Sequence, residues 1–233
     1  MMGSHSCSIN PFFSLMKGPL ISDGNNGDVE SSKVLQWLGK KPRDSTLFVS
    51  FGSEYFLSEM EVEEIAKGLE LCDSTINFIW IIRFPIDTTI TLDEMLPRGF
   101  LDRVGERGMV ITGWAPQAEI LAHPNTGGFL SHCGWSSVVE SMYFGVPVVA
   151  MPMKVDQPIN AKMLVEAGSA VEVRRNENDG FKGEEIATAV MKVFSGDWMR
   201  RRARELRETT KIEKEILLDE VAQELWQLLC EYS

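Results

Sequence analysis

The stretch Gly128-Phe129-Leu130-Ser131-His132-Cys133-Gly134-Trp135-Ser136-Ser137 decides how this chain is read. It opens as a short apolar run, turns at a glycine, and meets two hydroxyl residues suited to starting a helix. That is the pattern of a strand-to-helix junction in a βα unit. The same pattern stands on either side of it. Met109 to Thr112 runs into Gly113-Trp114-Ala115-Pro116-Gln117, and Val146 to Met151 runs into Pro152-Met153-Lys154-Val155-Asp156-Gln157. Three successive junctions thus carry polar and aromatic residues where a connecting turn needs none.

Outward from this block, further strands are expected at Thr46 to Phe51, Phe78 to Ile82 and Ala170 to Val173. Helical patterns cover Ser58 to Leu71, 117–122, 137–144 and 158–167, and extend from Gly183 to the end, closing with a leucine-rich run from Ile216 to Leu229. Strands apolar on both faces and separated by helices imply a parallel sheet covered on both sides. The expected fold class is therefore α/β, a Rossmann-like doubly wound parallel sheet. Residues 18–32, rich in Gly, Asn, Asp and Ser, read as a loop or linker. The expected division is a tag or linker remnant over 1–17, a ligand-binding domain over 18–215 and a separate C-terminal helix over 216–233.

Apolar residues at 44% and charged residues at 24% allow an ordinary core in a chain of 233 residues. A net charge of −11 argues against nucleic acid or an anionic membrane as partner, while leaving room for a small phosphorylated ligand held by backbone dipoles. Cys7, Cys72, Cys133 and Cys230 form no C-x-x-C pair, which argues against a zinc ribbon or redox motif. No apolar run is long enough to span a bilayer and the start lacks the features of a signal peptide, so a cytoplasmic protein is expected.

Open parallel sheets bind ligands beyond the carboxyl ends of their strands, where these junctions lie. A helix opening at Ser136 and Ser137 offers free N–H groups and a positive dipole end to a phosphate. The dipole contributes only ~0.3–1 kcal/mol when exposed, so hydroxyls and His132 must act beside it. Glu140, one turn further on the same helical face, suits the paired hydroxyls of a ribose. Singly, each residue has a plain structural role: Trp114 in a core, Ser136, Ser137 or Asp156 as helix caps, Glu140 as a solvated side chain. Their joint occurrence in fixed order over three strand ends favours a site.

The 44 residues from Trp114 to Gln157 resemble the signature box of plant family-1 UDP-glycosyltransferases. The likeness extends from about Gly18-Pro19-Leu20 to the C-terminus, through Phe51-Gly52-Ser53 and Trp80-Ile81-Ile82-Arg83. It implies the C-terminal half of a GT-B glycosyltransferase. The resemblance places Trp114 on uracil with the Ala115 backbone at its edge, and Gln117 and Glu140 on the ribose. It sets His132, Ser137, the Gly134 backbone and Ser53 at the phosphates, with Ser136 in the same loop. Trp135, Asp156 and Gln157 would meet the sugar, and Gln157 points to UDP-glucose as donor. Ser136, commonly Asn in the family, and Glu54, where a small or apolar residue is usual, resemble the branch that adds β-1,6-linked glucose to the sugar of terpenoid, carotenoid-derived or flavonoid glycosides.

The resemblance further implies an inverting displacement. Its base would be a histidine of an N-terminal half, so no catalytic residue is expected here and that half is expected as a partner, joined to this chain or supplied as a separate one. The sequence has no Asp-x-Asp motif, so neither metal nor cofactor is expected. Three rivals differ in class. A serine hydrolase would need a second Gly after Gly134-Trp135-Ser136-Ser137-Val138 and a histidine after His132, and has neither. A nicotinamide dehydrogenase would need G-x-G-x-x-G where Gly52-Ser53-Glu54-Tyr55-Phe56 stands. A donor-binding module inactive on its own remains open.

Overall fold

Alternation along the central strands builds two cores at once. In β1 (Thr46–Ser50), Leu47 and Val49 join one cluster while Phe48 joins another. In β2 (Asn77–Ile82), Phe78, Trp80 and Ile82 side with the first, Ile79 and Ile81 with the second. Successive side chains point to opposite faces, so a strand apolar at every position needs a layer on each side. The computed structural model, which describes residues 28–85 and 89–211, supplies both layers.

The remaining strands are β3 (Gly108–Thr112), β4 (Thr126–Ser131), β5 (Val148–Ala150) and β6 (Ala170–Glu172). All six run parallel in the order β3-β2-β1-β4-β5-β6. β1, β2, β4 and β5 are buried throughout, whereas the two edge strands are partly exposed. One face carries α2 (Glu59–Leu71) and α8 (Gly183–Ser195), packed on each other. The other carries α1 (Asp28–Gly39), α5 (Gln117–Ala122), α6 (Trp135–Phe144) and α7 (Gln157–Glu166) side by side. This is the doubly wound architecture that the alternating pattern implies.

Three expectations need correction. Residues 28–32 are helical, because Val34, Leu35 and Leu38 give α1 a buried apolar stripe that outweighs the polar composition before it. Two short helices, α3 (Leu92–Met95) and α4 (Phe100–Val104), fill a stretch with no expected element. α4 matters to the core, since Phe100 packs edge-on against Trp80 with ring centroids 6.1 Å apart. The helical pattern expected from Gly183 onward is divided at Gly196, where α8 ends and the chain resumes as α9 over 197–211. The proposed remnant at 1–17 and helix at 216–233 lie outside the described residues.

α9 is tied back to the entry of β1. Asp44, in the left-handed region at φ 54°, receives Arg204 Nη2 at 3.0 Å, and Arg200 Nη1 lies 3.9 Å away. Among the described residues no helix is long and apolar enough to cross a membrane.

Candidate donor cleft at the strand ends

The sheet order reverses between β1 and β4, so the loops leaving these two strands part and open a crevice. His132 stands in it, directly after β4. Its ring is almost wholly enclosed, and two glycines define its walls. A Cβ on Gly52, after β1, would lie 2.9 Å from the imidazole; one on Gly134 would lie 2.4 Å from Nε2. Neither distance is tolerable, so both positions must lack a side chain for the backbones to clasp the ring. Burial holds the His132 pKa below its ordinary value, with Lys154 acting in the same sense and Asp156 and the Ser50 backbone opposing. Nδ1 is enclosed without a hydrogen bond of ordinary geometry.

The next residue bends the chain. Cys133 is fully buried at φ 61°, and its N–H donates to Ser131 Oγ at 3.1 Å. Gly134 then caps α6 with its backbone alone, with no side chain bonded to the first turn. Ser137 is buried on this turn and Ser136 exposed, while Trp135 packs partly against the core beneath.

The β3 junction joins from the side. Trp114 is half exposed and belongs to no core cluster, which removes the plain packing role for it. The Ala115 carbonyl accepts from Gln117 N–H at 2.8 Å. Gln117 Nε2 donates to Glu140 Oε2 at 2.7 Å and to Ser137 Oγ at 3.4 Å, so three expected residues share one amide. Burial raises the Glu140 pKa, partly offset by that hydrogen bond. Ser137 is therefore bonded to an amide rather than to a histidine, unlike a hydrolase nucleophile.

At the β5 junction, Gln157 is buried and its Oε1 accepts from Met153 N–H at 2.8 Å and Lys154 N–H at 2.9 Å. This fixes a tight turn in which Val155, 86% exposed, takes φ 58°. Asp156 is exposed and does not cap α7 through its side chain. Its Oδ2 instead accepts from Asn160 Nδ2 at 2.8 Å, and the same amide donates to the Cys133 carbonyl at 3.1 Å. Asn160 thereby locks the β4 and β5 loops together. Lys154 closes the ring: its Nζ reaches the Glu54 carbonyl at 3.5 Å, beside exposed Ser53 in the β1 loop.

All four junctions therefore meet at one end of the sheet, joined by the Gln117 bonds to Ser137 and Glu140, the Asn160 bond to Cys133 and the Lys154 bond to Glu54. Sequence reasoning missed Asn160, Lys154 and the role of Gly52. Asn160 was within reach, because it lies four residues after Asp156 at helical spacing.

The family model for UDP-glucoronosyl and UDP-glucosyl transferase matches residues 36–211. A β-D-glucosyl crocetin β-1,6-glucosyltransferase from Gardenia jasminoides is 50% identical over 95% of this chain and 49% of its own length. A mogroside IIIx synthase from Siraitia grosvenorii is 50% identical over 91% of this chain and 46% of its own. Among solved structures, Phytolacca americana UGT2 complexed with UDP-2-fluoro-glucose and pterostilbene is 37% identical, with a TM-score of 0.72 over 89% of this chain and 45% of that one. The chain spans about half the length of the curated relatives it matches.

Proposed function

The chain belongs to the UDP-glucoronosyl and UDP-glucosyl transferase family, and from that premise we propose that it binds the UDP-glucose donor of an inverting glycosyltransferase acting on a plant glycoside. The observation that carries this reading is the Gln117 amide shared between Ser137 and Glu140, three residues after the half-exposed Trp114. In the proposal the Trp114 ring stacks on uracil, and the Glu140 carboxylate and Gln117 carbonyl accept from the ribose hydroxyls. Ser53, Ser137, His132 and the N–H groups at the start of α6 meet the diphosphate. Trp135, Asp156 and the Gln157 amide, whose carbonyl is already engaged, face the hexose, with Ser136 at the rim.

In the proposed reaction an acceptor hydroxyl attacks C1 as UDP departs, with a base contributed by an N-terminal half that also forms most of the acceptor site. Oriented donors stabilise the departing diphosphate, and removing one such group typically costs ~10²–10³ in turnover. We propose that no metal takes part, so EDTA is expected to leave turnover unchanged. The acceptor class proposed is a sugar already carried on a terpenoid or flavonoid, a reading supported by the crocetin glucoside relative. A cytosolic setting is proposed because Cys72 and Cys133 are buried free thiols, which burial pushes up to about 11 and about 12.

Titration calorimetry with UDP-glucose, UDP-galactose and UDP tests the reading. Heat is expected with all three, with UDP-glucose favoured over UDP-galactose. Trp114→Ala should weaken each by about tenfold or more, since a stacked base contributes ~1–3 kcal/mol, without shifting the melt. The absence of heat with any uridine nucleotide would overturn the assignment.

A further inference from the structure

The proposed ligand is an anion, yet the chain has a net charge of −11, and Glu54, Glu140 and Asp156 belong to the junctions that form the cleft. A UDP-sugar entering there meets a repulsive field unless a cation offsets it. His132 is a poor source of that charge at neutral pH, because its burial disfavours the protonated ring. Lys154 is the cation whose charge reaches His132. Its backbone N–H is held by Gln157 Oε1 at 2.9 Å, so the base of the side chain is fixed by a residue of the cleft itself. Its Nζ spans from the β5 loop to the β1 loop, 3.5 Å from the Glu54 carbonyl and 5.6 Å from the Tyr55 ring centre. Tyr55 is anchored in turn, its hydroxyl donating to Glu61 Oε1 at 2.6 Å. The ammonium thus reaches the loop that carries Ser53, while its charge acts on His132. With one long contact made, at least two of its three N–H donors are left for a ligand.

We propose that Lys154 is a further catalytic residue, whose ammonium contacts the β-phosphate of the donor and takes up the charge that develops on the leaving diphosphate. This rests on reading the cleft as a UDP-sugar site. As the acceptor oxygen bonds to C1, the bond from C1 to the β-phosphate oxygen breaks and its electron pair stays with that oxygen. The acceptor proton passes to the base on the acceptor side. The new negative charge then lies on the phosphate nearest Lys154, so the ammonium stabilises the products of bond cleavage more than the intact donor.

The test titrates the chain as it stands with UDP, UMP and uridine, in the original sequence and in Lys154→Met and Lys154→Arg. Lys154 is exposed, so all three proteins should melt alike. Lys154→Met is expected to bind UDP about tenfold more weakly, as for loss of a charge-assisted hydrogen bond. UMP, which lacks the β-phosphate, and uridine should change by less than about twofold, and Lys154→Arg should retain most of the UDP affinity. If Lys154→Met binds UDP as the original does, or loses UDP and UMP equally, the proposal falls. If the original chain fails to bind UDP, the donor-site reading falls instead, which is a separate and distinguishable result.

Discussion

Glu140 shows how a residue proposed for binding can work against the fold that carries it. Burial raises its pKa, so its contribution to stability is fully present below the unfolded value near 4.5 and is lost as pH rises through the folded value. At neutral pH the buried carboxylate is a liability held in place by the Gln117 amide. Glu140→Gln is expected to raise stability at pH 7 by a few tenths to about 1 kcal/mol, the gain shrinking towards pH 4. It should also weaken UDP by about tenfold, since the stronger acceptor for ribose is gone. Melts at both pH values with calorimetry at pH 7 check this, and a lower melt at pH 7 would refute it. Residue identity here was legible: Trp114, Gln117, His132, Ser137 and Glu140 were all singled out from their order along the chain. Lys154 was not, because an exposed lysine in a turn carries no periodicity, and only the fold reveals that it reaches across to Glu54.

At the scale of elements, the β4–α6 junction positions the imidazole through backbone rather than side-chain contacts. Gly134→Ala tests that design. Its backbone angles suit alanine, so any penalty comes from the ring it would strike 2.4 Å away. We expect a loss of ~1–3 kcal/mol in stability, the usual cost of overpacking, and a fall in UDP affinity matching that of His132→Ala. A Gly134→Ala protein with unchanged melt and affinity would show the ring free to move. The major strands and helices were legible because each has a clear period, whether continuous apolar runs or the capping box of Ser58 and Glu61 that opens α2. α1 and α4 were not. The first begins in a composition that signals a loop, and the second is too short for its period to register, although its Phe100 completes the packing around Trp80.

For the molecule as a whole, strand order explains more than any one contact. β1 and β4 are neighbours though far apart in sequence, and their loops diverge where the sheet reverses. Convergence of the four junctions follows from that order, which is why their meeting was expected from the βα pattern alone. The tie between Asp44 and α9 was invisible beforehand, since Arg200 to Arg204 reads in sequence as a solvated face, whereas Arg200 and Arg204 both turn to Asp44. Val155 gives the molecule one more property. A β-branched residue at φ 58°, with its side chain in water, stores free energy that the turn around Gln157 keeps from relaxing. Val155→Asn, which tolerates that backbone, is expected to raise the melting temperature by about 2–4 °C and to leave UDP affinity unchanged in calorimetry, since Gln157 still holds the turn. Selection for heat resistance alone would accordingly favour replacing this valine, and its persistence in a lineage under that pressure would point to a demand on the exposed side chain other than durability.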